Sequence, residues 1–314
     1  MLFQFKKWFF DLNSGVENYA YFIVVEIRFL CFRWHSFTFH HFREDAGTVT
    51  KTNSLRLNIR GSDWDTLQIK GRGLDISPEN GQLNIAIDFD DLIIDLEING
   101  FRGVQSAGGL MIHHGSKDIR WFPVPGSMLA SGILKINGLT WKVDNEPVYI
   151  DSLYSDVLPF RVPVEKMYWG RLMYGELRIA YSVVMSDKGQ QWSRCFVTLE
   201  GRHFTFPAIT LEITAGTTGS PDDDKEGSGY VLTAMDGDNR LVMAIHHRKV
   251  VAEGQFIDPD QYRNKLLIRA LGRISKNPGG RKFLSTADVQ MQTGGVSCHW
   301  PGLVGVDEFV EFSF

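Results

Sequence analysis

The sequence predicts an all-β protein built as two antiparallel β-barrels in tandem, residues 1–162 and 163–314. Three observations carry this reading. Apolar and polar residues alternate with period two, which puts one strand face in a core and the other toward solvent. The 31 glycines punctuate the chain at short intervals. No segment up to residue 250 has the periodicity of a long helix. Many short strands with turn signals point to barrels or sandwiches rather than βαβ units.

Each element follows in order. "MLFQFKKWFFDLN" is apolar but interrupted by Lys6, Lys7 and Asp11. It lacks the long apolar run and small-residue cleavage site of a leader. "YAYFIVVEIRFLCFRW" is broken by Glu26, Arg28 and Arg33. That is short of the roughly 18 clean apolar residues of a membrane-spanning helix, so it reads as a strand and no transmembrane segment is expected. Leu55, Leu57 and Ile59 alternate with Arg56, Asn58 and Arg60. Leu83 to Phe89 and Ile94 to Ile98 alternate likewise, with Asp90-Asp91 as the turn between them. "KINGLTW" holds Asn137-Gly138, the strongest hairpin signal, because both central residues of a type I′ turn need positive φ.

Pro159 and Pro163 disfavour helix and central strand, so 157–166 is the domain seam. The polar stretch 214–229 reads as a hairpin tip; Asp222-Asp223-Asp224 lacks the alternating spacing of a calcium loop. Residues 258–271 are either a short helix capped by Asp258 or Asp260, or a strand over 265–271. A barrel of about eight strands has an interior suited to a small ligand.

Composition excludes several classes. A net charge of −4 with scattered basic residues gives no electrostatic support for nucleic-acid binding. Cys31, Cys195 and Cys298 lie far apart, with neither a zinc-ribbon nor a disulfide spacing. Reduced, mostly buried thiols and a cytoplasmic location are expected. The pairs His40-His41, His113-His114 and His246-His247 would point to opposite strand faces, so no metal site is expected. Dinucleotide, phosphate-loop and nucleophile-elbow motifs are absent, and no cofactor is expected. Aromatics make up 12% of the chain. Most belong to cores, and some would line an apolar cavity.

Four segments in order carry a resemblance. They are "KKWFFDLNSGVENYAYFIVV", "IRWFPVPGSM" (119–128), "SGILKINGLTWKVDNEPVYIDSLYSDV" (131–157) and "MYWGRLMYGELRIAYSVV" (167–184). The chain resembles the carotenoid 1,2-hydratase (hydroxyneurosporene synthase) and AttH-like group of tandem lipocalin-like proteins, which includes related lipocalin-like cyclases. The resemblance implies two calycin-type barrels and acid-assisted hydration or cyclisation of a lipophilic polyene, terpenoid or polyketide. Carried over, the Tyr-x-Asp acid is Asp156, assisted by Tyr154. Trp121, of the Arg-Trp-x-Pro segment, would face a developing carbocation, with Trp169, Tyr168 and Trp8 shaping the pocket. An isolated alkene is protonated only by a carboxyl group kept neutral, which an apolar cavity favours. The chain departs from the hydratase pattern at Val157-Leu158-Pro159-Phe160. Two alternatives stand beside this reading: a pericyclase of the same fold acting by preorganisation, and a non-catalytic lipid-binding protein. A homo-oligomer is left open.

Overall fold

The computed structural model describes residues 2–13, 18–45, 47–61, 66–101, 108–124, 126–158, 161–214, 226–255 and 279–312. They form strands joined by turns, with no α-helix among the described residues. Accordingly, no helix there is long and apolar enough to cross a membrane. The expected helix or strand at 258–271 lies outside the described residues.

The first sheet contains β1 (Phe3–Asn13), β2 (Asn18–Phe29), β3 (Phe32–Arg43), β4 (Gly47–Leu55), β5 (Asn58–Arg60), β6 (Gln68–Gly71), β7 (Leu74–Glu79) and β8 (Gln82–Phe89). It continues with β9 (Leu92–Asn99), β10 (Leu110–His114), β11 (Lys117–Pro123), β12 (Met128–Ile136) and β13 (Leu139–Ser155). Its order is β4-β3-β2-β1-β13-β12-β9-β8-β7-β6-β5, with β11 pairing β10 and β13 off that path. The sheet curls on itself. Phe37 of β3 meets Phe89 of β8 with ring centroids 5.3 Å apart, and Lys51 of β4 pairs with Asp91 at 2.7 Å. The alternation read from sequence sets the register: Leu83, Ile85 and Ile87 lie opposite Ile98, Leu96 and Ile94, all in one core. Asn137 and Gly138 have φ of 49° and 80°, as the hairpin signal requires.

The second sheet holds β14 (Lys166–Tyr174), β15 (Leu177–Met185), β16 (Gln191–Leu199), β17 (Arg202–Phe206) and β18 (Ile209–Thr214). It is completed by β19 (Gly229–Asp236), β20 (Asn239–Gln255), β21 (Gly279–Thr293) and β22 (Val296–Glu311). Its order is β17-β16-β15-β14-β22-β21-β20-β19-β18. The two ends meet where Gln191 Nε2 donates to Ile209 O (2.6 Å) and Ile209 N donates to Ser193 Oγ (2.9 Å). Side-chain bonds from β16, rather than a β17–β18 ladder, thus draw the two ends of the sheet together.

Two compact units result. Among the described residues, those up to Gly108 with Trp121–Ser155 form one; Gly109–Arg120 and those from Asp156 onward fall in the other. The cysteines are free, with Cys195 buried. Cys31 is exposed rather than buried, because it sits at the tip of the β2–β3 hairpin.

Candidate active site

The inward face of β1 carries Trp8, Phe10 and Leu12, which join the core of the first barrel. Large rings fill that barrel: the void among Phe10, Phe22, Phe39 and Ile94 is only about 10 Å³. That is about the least space that holds one water, so these rings pack as core at that point.

The outward faces of β1 and β13 are also buried, and here acids and aromatics meet. Phe9 lies opposite Asp151 and Asp11 opposite Tyr149, so the two aspartates are diagonal neighbours on one face. Both are almost fully buried, Asp11 at 1% and Asp151 at 4% exposure. A buried carboxyl group needs partners. Trp121 Nε1 donates to Asp151 Oδ2 at 2.9 Å, and the Tyr149 hydroxyl donates to the same oxygen at 3.0 Å. The Tyr19 hydroxyl donates to Asp11 Oδ2 at 3.3 Å. Phe9 packs between Tyr21 (5.5 Å) and Tyr149 (6.2 Å), and Tyr21 stacks on His40 at 4.5 Å. The result is a pair of fixed carboxyl groups in an aromatic setting.

Tyr149-Ile150-Asp151 is itself a Tyr-x-Asp, five residues before Tyr154-Ser155-Asp156. That repeat was the signal available in the sequence. The odd offset decides the geometry, because it moves the motif to the other strand face. Tyr154 lies opposite Lys6, in the row that points inward with Trp8. Asp156 lies past the end of β13. Its Oδ1 accepts from Asp118 N at 2.8 Å, its own N donates to Asp118 O at 3.2 Å, and Lys117 Nζ is 3.6 Å from Oδ2. These contacts tie it to the start of β11. Asp118 is held below the usual carboxylate range by Arg120 and His113.

Of the other predicted residues, Trp121 joins Asp151 as described. Tyr168 and Trp169, adjacent on β14, face opposite sides of the second sheet. Tyr168 packs inward against Phe309 (5.2 Å) and Tyr230 (5.4 Å). Trp169 lies outward, with Lys282 Nζ 4.8 Å from its ring centroid. Lys282 in turn pairs with Glu308 at 2.8 Å.

Two polar clusters inside the barrels were not anticipated. At one end of the first, the fully buried Glu26 binds Arg33, Arg28 (3.1 Å) and His35 (3.3 Å). Burial opposes its charge, but His35, Arg33 and Arg28 outweigh burial and bring its pKa down to about 2. Inside the second barrel, the Tyr181 and Tyr230 hydroxyls are 2.8 Å apart, and Tyr230 donates to Asp307 Oδ2 at 3.3 Å. His247 Nε2 lies 2.6 Å from that oxygen, and its Nδ1 lies 3.1 Å from Ser228 Oγ. Burial, reinforced by Asp307, pushes both phenols well above their usual pKa, so they remain donors. Gly170 makes room for this chain: a Cβ there would meet Tyr181 Oη at 2.3 Å and Asp307 Cβ at 2.9 Å.

At the opposite end of the first barrel from Glu26, a cleft of about 700 Å³ is lined by Asn18, His41, Arg43, Leu134, Trp141 and Lys142, among others. His41 Nε2 contacts Asn18 Oδ1 at 2.6 Å, and the ring stacks on Trp141 at 5.7 Å. Burial, then Arg43, lowers the His41 pKa. Among the described residues, no three His, Cys, Asp or Glu side chains are grouped to hold a metal.

The comparisons bear on this architecture. No protein-family model matches the sequence, and no curated protein matches it significantly. Over 99% of its length the chain is similar in fold to CghA in complex with Sch210972, at TM-score 0.64, 12% identity and 89% of that chain. It is similar over the same share to an AttH-type protein from Nitrosomonas europaea, at TM-score 0.60, 10% identity and 93% of that chain. Kievitone hydratase from Nectria haematococca gives TM-score 0.55, 10% identity and 89% of that chain. The fold is thus two lipocalin-like antiparallel barrels in tandem. The resemblance to the AttH-like lipocalin-like group holds at the level of that fold.

Proposed function

We propose that the protein is a cofactor-free enzyme that performs acid-assisted hydration or cyclisation on a lipophilic polyene, terpenoid or polyketide. The observation that carries this reading is the buried Asp151, oriented by Trp121 and Tyr149 among aromatic rings. Proton delivery to an alkene needs a carboxyl group held in one orientation. The cation formed next is steadied by aromatic faces, and Phe9, Tyr21 and Tyr149 supply them. Water then adds and gives a proton back to Asp151, or an internal alkene closes a ring and the resulting cation loses a proton to Asp151. In this reading Tyr149-Ile150-Asp151 supplies the acid. The Asp156 contacts favour a structural tie to the start of β11, with Lys117 Nζ 3.6 Å from Oδ2. The fold's occurrence in a hydratase supports the reaction class.

The test is turnover of linear polyenes by the wild type, Asp151→Asn and Asp156→Asn, read by chromatography with mass detection. Hydration adds one water to the mass, and cyclisation leaves it unchanged. Activity lost in Asp151→Asn and kept in Asp156→Asn supports the assignment. The reverse pattern returns the acid role to Asp156. Full activity in both variants favours preorganisation without a fixed acid.

A further inference from the structure

We propose that the tip of the β2–β3 hairpin is a membrane-docking element that inserts into the interface of an anionic bilayer. The tip is Phe29-Leu30-Cys31-Phe32, with Leu2 beside it through the Leu30 N to Leu2 O bond of 2.9 Å. Leu30 is 62% exposed, Leu2 47% and Phe32 45%, three large apolar side chains together in water. Phe32 stacks on Trp34, centroids 5.7 Å apart, which gives the tip a rigid aromatic shoulder.

The backbone adds an independent observation. Leu30 has φ of 54°, a left-handed conformation that favours glycine or asparagine. The other non-glycine residues with positive φ among those described are Asn80, Asp90, Asn137, Asn145 and Glu200, all polar. Leu30 is the apolar exception, in a strained turn where it contributes nothing to a core. Neither folding nor water solubility accounts for a leucine there; an apolar partner does.

Charge identifies the partner. Arg28 and Arg33 flank the tip, their side chains 43% and 38% exposed, and both lean on the single carboxylate of Glu26. Lys6, opposite Glu26, adds a third cation to the same end. Arg28 Nε is buried without a hydrogen-bond partner. Three cations thus share one carboxylate on a chain whose net charge is −4. Exposed apolar side chains flanked by two half-exposed arginines match an interface of acyl chains under anionic headgroups.

The test is cosedimentation with phosphatidylserine–phosphatidylcholine vesicles and with phosphatidylcholine alone. The wild type is expected to bind the anionic vesicles and to be released by salt. A Leu30→Asn/Phe32→Ser variant keeps a turn-compatible residue at the strained position. It is expected to bind about tenfold or more weakly, from the loss of inserted apolar area. An environment-sensitive fluorophore on Cys31, in a Cys298→Ser background, should shift to the blue on anionic vesicles. Absence of vesicle binding, equal binding by the double variant, or salt-insensitive binding to phosphatidylcholine alone overturns the proposal. Self-association abolished by the same variant, without vesicle binding, would assign the tip to a second copy of the chain instead.

Discussion

The opening strands of the two barrels occupy matching places, yet their inward faces are built on different chemistry. In β1 the inward row is Trp8, Phe10 and Leu12, opposite Ser152, Ile150 and Val148 of β13. In β14 it is Tyr168, Gly170 and Leu172, opposite Phe309, Asp307 and Gly305 of β22. The central pair Phe10–Ile150 has become Gly170–Asp307. Removing a ring at Gly170 opens the space that the Tyr181 hydroxyl fills. In the first barrel the inward ion cluster around Glu26 sits at one end. The second carries polar groups in its middle, where each needs a partner inside the protein. A barrel interior can be apolar or hydrogen-bonded, but each choice must be made at several positions together.

The largest expected effect comes from moving half of the second design into the first. Phe10→Gly with Ile150→Asp leaves a cavity and a buried carboxylate with no phenol or imidazole to meet it. A loss of more than about 5 kcal/mol is expected, so the variant should fail to fold by circular dichroism. Asp307→Ala in the second barrel strips Tyr230 of its acceptor and removes the carboxylate beside His247. It should cost about 3–5 kcal/mol in denaturant unfolding. Gly170→Ala should cost about 1–3 kcal/mol by overpacking, with a smaller loss in a Tyr181→Phe background, which a double-mutant cycle would measure.

The polar end of the first barrel gives a pH signature. Glu26 has its pKa depressed from 4.5 to about 2 in the folded protein. A depressed carboxyl stabilises the fold above its unfolded pKa, and that contribution is lost as pH falls through the folded value. Stability should therefore decline between about pH 4.5 and 2 in thermal melts, and Glu26→Gln should flatten that limb. The smallest expected effect is at the hairpin tip. Leu30→Asn should raise stability by on the order of 1 kcal/mol, because asparagine tolerates the left-handed turn that leucine strains.

Much of the candidate site could be read in the sequence, but not its assembly. Trp121 and Tyr154-Ser155-Asp156 were singled out in the sequence, but the aspartate that Trp121 meets is Asp151, of a second Tyr-x-Asp that the sequence reading passed over. The choice between two Tyr-x-Asp motifs five residues apart depends on which strand face each occupies. Alternation reveals a face only when the opposite one meets water. In "FQFKKWFFDLN" both faces are buried: Trp8 and Phe10 inward, Phe9 and Asp11 outward. The pattern is then silent on direction. The Tyr181–Tyr230–Asp307–His247–Ser228 chain was hidden for another reason, since its members come from separate strands with no local spacing.

By itself the sequence determined the strands, the Asn137-Gly138 turn and the all-β class, because period-two burial and turn chemistry are local properties. Only the tertiary structure decided which aspartate is buried beside Trp121, that Phe10, Phe22 and Phe39 pack together, and that Gly170 is a space for a phenol. Those facts depend on side chains brought together across strands distant in sequence. Their physical cause is the need of each buried polar atom for a partner and of each core for full packing.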